Sequence, residues 1–304
     1  MKIQRPMKFR SMMRIMPHVI VCILWLALQP GVRAEDNAGE NAHAKLREAD
    51  ELARKGQAEV ASKGYLEAAS LYEEALKSDP DTRPFRQNHL YCLDRAALVL
   101  IRHADALRKE ENFSAAAPLY ALAVRRYEDA HAELGREPFA RNIKYARHHG
   151  ARAAFRSALA KKDPAPEFEL PSADESGEML KLSDYRGKIV ALEFFTTWCP
   201  SCLKTAPEIA RIQRLLGDEK FVALGVSLDT AEGFKRRSRG LSKFLESTKA
   251  EHPVALGDSN ISQAYAVESV PAVILIDHKG NLVKQLPYDA DFEREIKALL
   301  DSRD

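Results

Sequence analysis

A chain of 304 residues has room for two ordinary domains, and 45% hydrophobic with 30% charged residues is the composition of a soluble globular protein. Its formal charge of +2 hides an asymmetry: six basic residues and no acid fall in the first 34 positions, so the rest carries 40 basic against 44 acidic residues, a net of −4. No basic stripe is left to argue for nucleic acid, which excludes that class of partner.

Residues 1–34 read as a signal peptide. A basic stretch up to Arg14 precedes the apolar run from Val19 to Leu28, and Val32-Arg33-Ala34 before Glu35 suits a signal peptidase. The run is shorter than the roughly 20 residues of a membrane span. The rival reading is an uncleaved N-terminal anchor. Cys22 lacks the small residues before it that a lipoprotein cleavage site needs. Both readings place the chain outside the cytoplasm, periplasmic or secreted, where thiols meet oxidants. The mature chain keeps Cys92, Cys199 and Cys202. Three cysteines are too few for a stapled scaffold; one close pair and one loner is the count of a redox enzyme. Cys92 is expected as a small buried hydrophobe.

Residues 35–160 are expected to be helical, rich in Ala, Leu, Glu, Lys and Arg with few Gly or Pro. Tyr65, Ala68, Tyr72 and Ala75, then Phe113, Ala116, Tyr120 and Ala123, follow helical spacing with small residues between. The pattern resembles the second helix of the tetratricopeptide repeat, with Tyr65 and Phe113 as counterparts 48 residues apart instead of the usual 34 or so. The aromatic positions are expected in the core. This half is either a groove for a protein partner or a spacer. Residues 161–166 read as a linker stiffened by Pro164 and Pro166.

From residue 167 to 304 the rhythm changes. Strands are expected over Lys188–Phe195, Phe221–Leu228, Pro253–Leu256, Ala272–Ile276 and Leu282–Gln285. Helices are expected over Pro200–Leu216, Ala231–Thr248 and Ser259–Ala266, with a last one from Asp291. The alternation argues an α/β sheet covered on both faces. The fold class is thus multidomain, an all-α helical repeat followed by an α/β domain.

Cys199-Pro200-Ser201-Cys202 has two chemical readings. Zinc needs two further ligands at suitable spacing, and none clusters in the sequence, so no metal and no cofactor is expected. As a redox pair the cysteines sit where a strand runs into a helix. Residues three apart on a first helical turn share a face, and the helix N-terminus favours a thiolate. Cys199 is then the nucleophile and Cys202, deeper in the helix, the resolving thiol.

The run Phe194-Phe195-Thr196-Thr197-Trp198-Cys199-Pro200-Ser201-Cys202 resembles the active-site segment of the thioredoxin superfamily, in its extracytoplasmic TlpA/ResA-like branch. Leu182 to Lys188 resembles that branch's lead-in, and Val267-Glu268-Ser269-Val270-Pro271-Ala272 its cis-proline loop. The resemblance covers roughly residues 163–304. It implies a thiol-disulfide oxidoreductase acting on protein disulfides, more in the manner of a reductant fed by a membrane electron donor. It implies that Pro271 packs beside the dithiol in the cis form, that the Val270 backbone pairs with substrate, and that Trp198 walls the site. Glu193 stands where thioredoxins proper carry a buried Asp that relays a proton to the second cysteine, and where this branch often has Asn. A carboxyl in an apolar strand has a raised pKa and can act as a base near neutrality. Asp229 closes the next strand, as a helix cap or as support for the site.

Two other readings compete. Thr196 stands three residues before Cys199, as in the Thr-x-x-Cys of a peroxiredoxin-like peroxidase. Alternatively the chain is a non-enzymatic adaptor with a redox-inert thioredoxin-like module.

Overall fold

The computed structural model describes residues 37–302 apart from 79, 136, 175 and 232–239. The signal or anchor expectation for residues 1–34 lies outside the described residues. No described helix is long and apolar enough to cross a membrane.

Among the described residues five helices come first: α1 (Asn37–Arg54), α2 (Ala58–Ser78), α3 (Arg83–Lys109), α4 (Phe113–Leu134) and α5 (Glu137–Lys161). Each packs on the next in chain order. Short turns fold them back. Asn112 caps α4 by accepting from the Ala115 N–H at 3.3 Å, and Gly135 ends it at φ +59°, a left-handed conformation that costs glycine little. Small residues let the helices approach closely: a Cβ on Gly150 would lie 2.9 Å from the Tyr120 Cβ. Tyr65, Tyr72 and Tyr120 are fully buried, as expected of core aromatics, and Phe113 is half-buried.

The internal repeat has a different register from the one the sequence pattern suggested. The Tyr65 hydroxyl donates to Asp50 at 2.6 Å, and the Tyr120 hydroxyl donates to Asp105 in the same way. Asn88 donates to the Tyr72 hydroxyl, and Asn142 to that of Tyr127. The first pairs are 55 residues apart in the chain. The turns at Gly56 (φ +76°) and Glu111 (φ +58°) obey the same shift. Tyr65 is thus the counterpart of Tyr120, not of Phe113. Helices of 21 to 27 residues in α2 and α3 make the unit longer than a tetratricopeptide repeat.

The second half is a five-stranded mixed sheet of order β5-β4-β3-β6-β7. Its strands are β3 (Ile189–Phe195), β4 (Phe221–Ser227), β5 (Val254–Leu256), β6 (Ala272–Ile276) and β7 (Leu282–Leu286). β3 runs parallel to β4 and antiparallel to β6. A hairpin of β1 (Glu169–Pro171) and β2 (Met179–Lys181) precedes it. Helices α6 (Cys202–Leu216), α7 (Leu241–Thr248), α8 (Ser259–Ala264) and α9 (Phe292–Asp301) follow their strands. Every residue of β3 and β4 is buried, as central strands covered on both faces must be. Alternation sends Val190, Leu192 and Phe194 into one core and Ile189 and Ala191 into the other.

Of the helix expected over Ala231–Thr248, residues 232–239 lie outside the described residues, and Leu241–Thr248 is α7. Gly240 precedes it at φ +90°, a backbone angle no right-handed helix contains.

The two halves share packing. Phe155 of α5 lies in the same buried cluster as Leu192, Phe194 and Tyr265. The segment expected as a linker is pinned to the sheet: Ala165 N–H donates to Gly280 O and Leu282 N–H to Asp163 O, each at 2.9 Å. The Tyr265 hydroxyl donates to Pro166 O at 2.5 Å.

Candidate active site

β3 ends at Phe195, and seven residues later α6 begins at Cys202. Between them the chain turns through Thr196-Thr197-Trp198-Cys199-Pro200-Ser201. Asp229 holds this turn from the adjoining strand end. One of its oxygens accepts from both the Thr197 N–H and the Thr197 hydroxyl at 3.1 Å, and the other accepts from Ser227 Oγ at 3.1 Å. Asp229 therefore supports the site and, among the described residues, caps no helix. The Cys199 N–H donates to Thr196 O at 3.2 Å.

Cys199 sits just before the helix and Cys202 is its first residue. The Cys202 N–H donates to Cys199 Sγ at 3.3 Å, and Cys199 Sγ lies 3.5 Å from Val270 O. Both thiols are free. An amide aimed at Sγ from a helix start stabilises a thiolate there. The Val270–Pro271 peptide bond is cis. Cys199 is 5% exposed and Cys202 fully buried, so the first thiol borders the surface and the second does not.

Trp198, Val270 and Phe195 pack in one apolar cluster with the two cysteines. Phe244 of α7 stacks on Phe195 at 4.7 Å between ring centroids. Burial pushes the Cys202 thiol pKa up; its hydrogen bond with Cys199 and the Glu193 charge add to this.

Glu193 lies in the middle of β3, opposite Gly225 of β4 and Val273 of β6. Alternation puts its side chain on the face of Ala191 and Phe195, the face that α6 covers. It is 1% exposed, and neither carboxyl oxygen has a hydrogen-bond partner. Burial alone pushes its pKa up to about 8. Glu193 thus does not reach solvent.

His252 was not singled out by the sequence. It is buried on this face, with Nε2 3.6 Å from where a Gly225 Cβ would stand and Nδ1 without a partner. Burial first, and then the Arg214 charge, lower its pKa to about 4. The signal that could have found it is its place two residues before a strand, in phase with Val254. Cys92 is buried in α3, and burial pushes its thiol up to about 12.

A mixed sheet that carries a Cys-x-x-Cys turn against a cis-proline loop defines a thioredoxin-like protein. The AhpC/TSA family matches over residues 162–285. The thiol-disulfide oxidoreductase ResA of Bacillus subtilis (strain 168) is 31% identical over 132 residues, which span 43% of this chain and 69% of ResA. The thioredoxin-like protein YneN of the same organism is 28% identical over 137 residues, 45% of this chain and 76% of that one. Among solved structures, the exposed lipoprotein thioredoxin of Streptococcus pneumoniae strain TIGR4 is 30% identical with a TM-score of 0.37, covering 45% of this chain and 99% of that one. The chain belongs to the thioredoxin-like thiol-disulfide oxidoreductase family of ResA.

Proposed function

We propose that the chain reduces protein disulfides outside the cytoplasm through Cys199 and Cys202. The observation that carries this reading is the position of Cys199 Sγ between the Cys202 N–H and Val270 O, at the edge of a site otherwise buried. The Cys199 thiolate attacks one sulfur of the substrate disulfide. A Cys199–substrate disulfide forms and the other substrate sulfur leaves as thiolate, taking up a proton. Glu193 accepts the proton of Cys202, directly or through water. The Cys202 thiolate then attacks Cys199 Sγ, which closes the Cys199–Cys202 disulfide and frees the second substrate thiol. Two electrons pass to the substrate, so a dithiol donor must restore the pair; a membrane electron donor fits that need. Val270, Pro271 and Trp198 frame the substrate chain, with Val270 O free to accept from it once the thiol proton is gone. The helical half, with its 55-residue repeat, recruits the partner protein.

The test is the reduction potential of the pair, by equilibration with glutathione or dithiothreitol. A value near roughly −270 mV supports a reductant, and one near about −120 mV makes the chain an oxidant. No reversible couple would move the adaptor reading to first place.

One observation favours a peroxidase as the second reading: Thr196 Oγ1 is buried without a hydrogen-bond partner, three residues before Cys199. Rapid hydrogen peroxide consumption that depends on Cys199 would put it first.

A further inference from the structure

Between the turn that joins α3 to α4 and the face of α5 lies a cavity of about 420 Å³. That volume falls within the usual range for ligand sites, roughly 300–1,000 Å³. Its lining is cationic: Arg108, Lys109, Arg152 and Arg156 against one carboxylate, Glu111, with Phe113 and Ala153 as the apolar part.

Two of the cations are already engaged. The Arg108 Nε–H donates to the Tyr120 hydroxyl at 3.2 Å, and its Nη2 lies 3.5 Å from Asp105. Arg152 Nη1 lies 2.7 Å from Glu268, and His148 Nε2 lies 3.2 Å from the same oxygen. Lys109 and Arg156 are exposed and have no ion-pair partner among the described residues. The wall thus holds more positive charge than its own carboxylates neutralise.

Glu268 fixes where this cavity sits. It lies two residues before Val270, whose carbonyl faces Cys199 Sγ. Only about 7 Å of extended chain separates them. Arg152 therefore lines the cavity on one side and grips the substrate loop on the other. Glu268 also shows the chemistry this wall accepts, a carboxylate taken by an arginine.

We propose that the cavity binds a carboxylate-rich segment of the protein substrate, which sets the neighbouring disulfide against Val270 and Cys199. The inference rests on the exchange reading above and names the substrate class for it. Recognition is by Lys109 and Arg156, with Arg152 shared between the segment and Glu268. The Arg152–Glu268 pair joins the cavity wall to the loop that carries Val270, which favours a substrate segment over a free small anion.

The test uses the full chain and two disulfide-bonded peptides, identical except for four Glu or four Gln beside the cysteines. The expected result is a kcat/KM about five-fold higher for the Glu peptide at low salt, falling towards one at roughly 0.5 M salt. In the Lys109→Gln/Arg156→Gln variant the ratio falls to about one. In Lys63→Gln/Lys77→Gln, which removes the same charge elsewhere on the helical half, it persists. A ratio of one in the wild type, or a ratio unaltered in the first variant, overturns the proposal. So does inorganic phosphate binding that the first variant abolishes while both peptides are reduced alike, which would mark a small-anion site. Anisotropy with a labelled four-Glu peptide lacking cysteine reads the cavity without the chemistry. Binding lost in the first variant supports the acidic site even if neither disulfide is reduced, a result that would count against the exchange reading alone.

Discussion

Glu193 on β3 and Cys202 at the start of α6 face the same side of the sheet, and the charge on Glu193 adds to the upward shift of the Cys202 thiol pKa. A buried thiol that ionises reluctantly stands beside a buried carboxyl whose pKa is pushed up to about 8. Once ionised, a carboxylate of that pKa takes a thiol proton far better than an exposed Glu at its ordinary value would, and the ionised fraction grows as pH rises towards about 8.

Glu193→Gln is therefore expected to slow the second step, closure of the Cys199–Cys202 disulfide, by about 100-fold. The first step, attack by Cys199, should change little. Stopped-flow tryptophan fluorescence that follows the two phases checks this; equal slowing of both phases would remove Glu193 from the relay.

Cys202→Ser is expected to hold substrates as mixed disulfides on Cys199, visible on non-reducing gels and released by dithiothreitol. Cys199→Ser should trap none. If Cys199→Ser traps as well, the assignment of nucleophile is reversed.

The two buried titratable groups on this face give opposite pH dependences. Glu193 has its folded pKa raised from 4.5 to about 8, so over that window the folded chain keeps a proton that the unfolded chain has lost. Stability from this group falls as pH rises, by on the order of a few kcal/mol in all. His252 is lowered from 6.5 to about 4, so there the unfolded chain binds the extra proton and stability rises with pH. Between about 4.5 and 6.5 the two oppose each other. Urea unfolding across pH should show Glu193→Gln gaining stability over that range and His252→Gln losing it.

Glu268→Gln removes the ion pair that ties α5 to the Val270 loop. The partners are about one-third to one-half exposed, so the loss of stability should stay below about 1 kcal/mol. The expected effect is kinetic: a several-fold rise in KM for a protein disulfide, with kcat and the reduction potential nearly unchanged. A fall in kcat alone would place Glu268 elsewhere in the mechanism.

Cys92 should resist alkylation in the native dithiol form at pH 8, because burial pushes its thiol up to about 12. Mass spectrometry after brief iodoacetamide treatment is expected to find label on Cys199 and none on Cys92 until the chain is unfolded.

Much of this was legible along the chain. The β3, β6 and β7 strands follow from short apolar runs bounded by turn residues. The Cys-x-x-Cys turn and the Val270-Pro271 loop are contiguous motifs. The helical half was legible as helices and as a repeat, but not in its register. Tyr65 and Phe113 look alike in a list of aromatics; only the Tyr65–Asp50 and Tyr120–Asp105 hydrogen bonds show which positions correspond. The break at Gly240 before α7 escaped because Ala231–Thr248 carries good helix formers, and a glycine inside a helical pattern signals a break only weakly.

By itself the sequence determined what local chemistry determines: helices and strands from periodicity, the dithiol from two cysteines three apart, and an unusual carboxyl from one Glu in an apolar strand. The tertiary structure decided what depends on elements far apart in the chain. It left Glu193 without a partner, set His252 over Gly225, brought Asp229 onto Thr197 across 32 residues, and closed Arg152 on Glu268. Burial and charge pairing are properties of packed neighbours, and one-dimensional spacing does not say which neighbours those are.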